Sequence, residues 1–284
     1  MLSSSSEFRK ELRMYGRSLW RHAIVVGSLV AAAAIVRASP PVAQDPAYHQ
    51  MADRRPMLGI PNCLNVLSNF PFAVVAALGL AALFREGGNR VPDQWARWPY
   101  AVLFIGTALT TVGSAYYHLA PDNDRLLWDR LPMTVGFVGL LTAVVSERIS
   151  PRLAQRIVGP LLATGLGSVV WWHWTELRGH GDLRAYVLLQ YGSLSAVLLL
   201  LFLYPPHYRG TAYLVAALGL YALAKGFEET DGAIFALGEI VSGHSLKHLA
   251  AAGAVACLVG MLRSRPPKGD LATTLERQPC QCGV

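Results

Sequence analysis

Eight apolar runs separated by polar or charged stretches divide the chain: Leu19 to Val36, Asn62 to Phe84, Trp98 to Leu119, Leu131 to Val145, Ile157 to Trp174, Tyr186 to Tyr204, Ala212 to Phe227 and His244 to Leu262. A helix needs about 20 mostly apolar residues to cross the hydrocarbon of a bilayer. The pattern therefore predicts eight membrane helices in an all-α, polytopic bundle. The first run follows a basic arm, residues 1–18, with Arg9, Lys10, Arg13 and Arg17. It resembles a secretory signal, but it is longer than the usual signal core, and Arg37 stands where a small-residue cleavage motif is wanted. A retained anchor over residues 19–36 is expected. Residues 37–61, with Pro40, Pro41, Pro46 and the run ADRRP, read as a loop.

Composition agrees with a membrane domain: of 284 residues, 53% are hydrophobic and only 15% charged. The net charge of +7 does not point to nucleic acid, because no basic stripe is interleaved with aromatics. It works as a topology signal, since Lys and Arg concentrate in cytoplasmic loops. With the N-terminus inside, Arg85, Arg90, Arg97, Arg148, Arg152, Arg156, Arg209, Arg263, Arg265, Lys268 and Arg277 fall inside too, and most acidic residues fall outside. Both termini, with a tail over 263–284, are expected in the cytoplasm. Four cysteines are too few and scattered for a disulfide framework, and Cys280 and Cys282 read as part of a solvated tail.

The candidate chemistry lies at the opposite ends of these helices. His244 and His248 stand at i and i+4, on one helical face, a spacing that suits two ligands of one metal ion. Ser114 and His118 repeat the spacing at the end of the third run, and Asp129 follows at the start of the fourth. The alternative is a set of histidines hydrogen-bonded inside the bundle. An ionisable group at mid-membrane costs roughly 2.5–3.5 kcal/mol and persists mostly where it has a partner or a function. The orientation, obtained without the histidines, brings all of these residues to the outer face. Asp53, Asn62, Asn65, Ser68 and Asn69 make the start of the second run polar, as helix caps and interhelical hydrogen bonds or as an oxygen-ligand cation site. Lys225 and Glu228 are spaced to pair, and Gln190 can face a cavity. His22, His49, His173, His180 and His207 carry no assignment.

The motifs SxxxH, an Asp at the head of the next helix and HxxxH at the head of the last resemble those of the alkaline ceramidase family. That family lies within the CREST superfamily of seven-helix membrane hydrolases, which includes the adiponectin and progestin receptors. The resemblance covers residues 53–262, a seven-helix core, and leaves the first helix as an addition. It implies a zinc site made by His118, His244 and His248, with catalytic roles for Asp129 and Ser114, and cleavage of the amide of a ceramide-like lipid drawn from the membrane. The family's calcium site is implied only through Asp53, since Asn62 stands where the family has a glutamate. No protein partner is readable.

Such residues suit hydrolysis. Three neutral imidazoles leave one zinc position open, and zinc lowers the pKa of water there to about 7. Asp129 can move the proton and Ser114 can donate to the oxyanion. The rivals are a receptor-like or structural protein with a non-catalytic zinc, and a transporter. The sequence has no internal repeat of the transporter kind.

Overall fold

The computed structural model describes residues 3–84, 94–206 and 208–265, without the side chains of 3–18, 94 and 95. The tail from 266 with Cys280 and Cys282, the side chains of the basic arm, and His207 lie outside the described residues. The described chain is all α apart from one 3₁₀ turn, Pro46–His49, and an isolated bridge between Met57 and Ile60.

In chain order the helices are α1 Ser3–Ala38, α2 Cys63–Leu67, α3 Phe70–Phe84, α4 Gln94–Leu119, α5 Asn123–Arg148, α6 Pro151–Leu177, α7 Arg184–Leu203, α8 Thr211–Glu229, α9 Asp231–Phe235 and α10 Gly243–Arg263. Six spans are long and apolar enough to cross a membrane: Leu19–Ala38, Cys63–Phe84, Asn123–Arg148, Pro151–Leu177, Arg184–Leu203 and Gly243–Arg263. The chain is thus a multi-pass membrane protein. α4 and α8, read from sequence as two further spans, are long enough but more polar, because they carry site residues such as His118 and Glu228.

Two expected runs have different bounds. The run from Asn62 is broken at Ser68 and Asn69, whose side chains bond back to the carbonyl of Asn65. Pro71 lacks the N–H that a continuous helix would donate there. The fourth helix begins eight residues before Leu131, capped by Asp122, whose Oδ1 accepts from the Arg125 N–H at 2.7 Å. Its first two turns are polar, so an apolar run could not mark them. Asp129 is therefore inside α5 and is not its cap.

α4 packs along α5, α5 on α6 and α7, α3 on α4 and α10, and α8 on α10. The α4–α5 crossing is close: a Cβ on Gly113 would collide with the carbonyl oxygen of Trp128. Small residues permit such an approach, which is how helices gain packing energy in lipid. α7 and α8 pack on each other only sparsely, and the bond from Gln190 Nε2 to the Tyr221 hydroxyl, 2.7 Å, spans the seam. α1 rests on α7 at the margin, with 6% of its span buried.

At the bundle end away from the histidines, Arg265 pairs with Glu147 at 2.6 Å, and the Tyr100 hydroxyl donates to the same carboxylate. Arg148 donates to the Tyr204 carbonyl and the Thr211 hydroxyl. Arg148 and Arg265, counted above as loop charges, are thus buried ties between helices.

Candidate metal centre and cavity

Each histidine reaches the centre for a local reason. α4 ends at Leu119, one residue past His118, and the His118 carbonyl accepts from Asn62 Nδ2 at 2.8 Å. Asn62 adopts a left-handed conformation at φ 48°, which asparagine tolerates. α10 begins with Ser242, whose Oγ accepts from the Ser245 N–H, so His244 and His248 fall in its first two turns. The His244 N–H donates to Asp231 Oδ1 at 2.7 Å, which ties the start of α10 to α9.

The three imidazoles are buried: His118 is 0% exposed, His244 5% and His248 4%. One ligand nitrogen from each lies within 4.8 Å of the others. The Nε2 atoms of His118 and His244 are 3.3 Å apart. Two nitrogens bound to one tetrahedral zinc at 2.0–2.1 Å stand roughly 3.3–3.4 Å apart, so the spacing fits a shared ion. The outward nitrogens are also provided for. His248 Nδ1 lies 2.7 Å from Ser68 Oγ, which itself donates to the Asn65 carbonyl. With its hydroxyl proton spent there, Ser68 accepts from Nδ1–H, which leaves the Nε2 lone pair free toward the centre. His118 Nδ1 faces Met51 Sδ at 3.2 Å.

Met51 belongs to the segment between α1 and α2, which the sequence presented as a loop. In the structure this segment is a strap across the site end of the bundle. The Val42 carbonyl accepts from the Leu183 N–H, Gln44 Oε1 accepts from Arg130 Nη2 at 2.6 Å, and the Ala52 N–H donates to Asp231. His49 bonds to the Tyr117 hydroxyl and to Asn123 Oδ1, both at 3.0 Å, and so serves the strap.

His248 also borders a cavity of about 450 Å³. Ser114, Asp129, Arg130, Glu228 and Lys247 line its upper part with His248, and Leu103, Leu140, Val197, Leu214 and Leu258 line its depth. Leu258 is ten residues along α10 from His248, about 15 Å deeper at helical rise. Asp129 is 6% exposed, Ser114 is a side-chain hydrogen-bond partner of its carboxyl, and Oδ1 of that carboxyl has no partner. Asp129 forms no salt bridge with the arginines near it on α5: Arg125 donates to the Ala120 carbonyl and Arg130 to Gln44.

The remaining polar residues also find places. Lys225 and Lys247 both pair with Glu228, as the Lys225 to Glu228 spacing predicted for the first. Gln190 does line the cavity. Lys247, Gln44 and Met51 were missed from sequence, although an ammonium inside an apolar span is itself a signal. Asp53 gives both carboxylate oxygens to Arg55, at 2.8 Å each, and the hydrogen bonds from that guanidinium hold its carboxyl below the usual range. The Asn65 amide donates to the Asp53 carbonyl. The calcium option thus has no free carboxylate at Asp53, and the asparagines and Ser68 serve as interhelical ties and bonds back onto their own helix.

Residues 64–266 match the model of the Family of unknown function (DUF6962). The chain belongs to that family. The matched span holds Ser114, His118, Asp129, His244 and His248, whereas α1 and the strap precede it. No curated protein and no solved structure matches the chain.

Proposed function

We propose that the chain is a zinc-dependent membrane amidase that cleaves the N-acyl amide of a ceramide-like lipid to fatty acid and amine. One observation carries the reading: a buried three-histidine cluster borders, through His248, the same cavity as a buried carboxyl with a free oxygen, and that cavity is polar at one end and apolar along its depth. A structural zinc site gains nothing from such a carboxyl or such a cavity. The resemblance to the alkaline ceramidases points the same way.

Zinc held by His118, His244 and His248 would polarise the amide carbonyl and make water a nucleophile near neutral pH. The apolar depth would take the acyl chain, and the polar end would hold the amide. Asp129 Oδ1 would accept a proton from the attacking water and return it to the amine nitrogen as the C–N bond breaks. The Ser114 hydroxyl, which bonds to the Asp129 carboxyl, would turn to donate to the carbonyl oxygen once Asp129 has taken up the proton and charge develops there. The strap would keep bulk water from the histidines.

We also propose that both termini face the cytoplasm and the site the exoplasmic side. Exposed aromatics mark two interfaces: Trp128, Trp171 and Trp174 near the site, Trp20 and Trp98 at the other end. On α4, Trp98 and Tyr116 are 18 residues apart, about 27 Å at helical rise and close to the hydrocarbon thickness. The histidines then lie at headgroup depth. The sparsely packed seam between α7 and α8 would let an acyl chain enter sideways.

Asp129→Asn tests the reading. The variant is expected to keep fold and zinc while hydrolysis per zinc-loaded molecule falls by roughly 10² to 10⁴. Fatty acid released from N-acyl lipids, measured beside metal content, checks it; an unchanged rate would sink the mechanism.

A further inference from the structure

Arg130 is not explained by hydrolysis alone. It follows Asp129 on α5, lines the cavity and is 6% exposed. Its guanidinium carbon lies 4.2 Å from the Trp172 ring centre and 4.8 Å from that of Tyr186. Nη2 donates to Gln44, but Nη1 is buried without a partner. Among the described residues no carboxylate is in ion-pair contact with it. Glu228, a half-buried acid of the cavity, is already shared by Lys225 and Lys247. A buried cation is costly unless something pairs with it, and a guanidinium suits carboxylate or phosphate oxygens. Aromatic faces hold such a cation without neutralising it.

We infer that Arg130 is the anchor for an anionic group carried on the amine side of the scissile amide. The substrate is then an N-acyl lipid whose headgroup bears a carboxylate or phosphate. The inference rests on the amidase reading for the direction of the substrate. With the acyl chain in the apolar depth, the amine part lies toward the strap, where Gln44 turns Arg130 to the cavity. Asp45 at that mouth caps the 3₁₀ turn through its Oδ1 and does not pair with Arg130.

The experiment compares N-acylglycine, N-acylethanolamine and N-acylethanolamine phosphate of one chain length on the full-length, zinc-loaded protein in detergent. Competition against radiolabelled N-acylglycine reads binding, and fatty acid release is read separately. A charge-assisted bond corresponds to a preference of roughly tenfold or more for an anionic ligand over the neutral one. The better of the two anions tells carboxylate from phosphate. In Arg130→Gln the ratio of affinities is expected to collapse toward one. If that variant does not fold, Gln44→Glu, which sets a carboxylate on Nη2 at nearly the same volume, is expected to reduce the ratio. Equal affinities in the wild type, or a preference that survives in a folded variant, overturns the inference. Preferential binding without release of fatty acid would support the anchor and count against the amidase instead.

Discussion

At the scale of single residues, the centre depends on what stands behind the ligands. Ser68 touches no metal position, yet it is the group that orients His248, by accepting from Nδ1 while donating to Asn65. Ser68→Ala is expected to weaken zinc affinity about 10- to 100-fold, the usual cost of losing a group that orients a ligand. His244→Ala, which removes a ligand, should abolish stoichiometric zinc. Metal analysis of the purified variants, with competition by a chelator, measures both. A His244→Ala protein that folds with full zinc would exclude the three-histidine assignment. Asp129 shows the reverse economy: its burial with an unpartnered oxygen has no structural use, which makes it the sharper test of chemistry.

At the scale of elements, the site is made by helix ends and by how closely helices meet. α4 brings Ser114 and His118, and α5 brings Asp129, through a crossing in which Gly113 lies against the Trp128 backbone. Gly113→Ala must push the two helices apart, because the atom it meets is main chain and cannot turn aside. A loss of about 1–3 kcal/mol or more is expected, read as a lower thermal midpoint together with lower activity per zinc. An alanine variant of unchanged midpoint would mean that the crossing is looser than described. The strap is the other element that matters. It carries Met51 against His118 and Gln44 against Arg130, yet it precedes the span shared with the family.

At the scale of the whole molecule, a helix ring encloses a cavity that is open in packing at one seam and covered at one end. The depth of that cavity sets which acyl chains fit. Ala217 on α8 lines it and is 7% exposed, so Ala217→Phe should fill its lower part and shift hydrolysis toward shorter chains. A series of N-acyl lipids differing only in chain length checks this; an unchanged profile would place the acyl chain elsewhere. The orientation has its own test. A reporter fused after Val284 is expected to be active only on the cytoplasmic side, and activity only on the other side would reverse the topology.

The sequence alone determined an all-α, multi-pass bundle of long apolar helices and the meeting of three histidines. Hydrophobic length and i, i+4 spacing are local properties, and they survive any arrangement of neighbours. Leu19 to Val36, the HxxxH pair and the SxxxH pair were legible for that reason. The start of α5 was not, because Arg125, Asp129 and Arg130 are polar residues inside a helix, the last two buried, and a run of apolar residues cannot record them. Neither was the break at Ser68, which depends on Pro71 and on side chains that bond back to the helix. Only the tertiary structure decided that Met51 and Gln44 come from 67 and 86 residues away to meet His118 and Arg130. It also decided that Arg148 and Arg265 are buried ties and that Lys247 pairs with Glu228. Such pairings join groups far apart in the chain, so their energies depend on distances that no local pattern encodes.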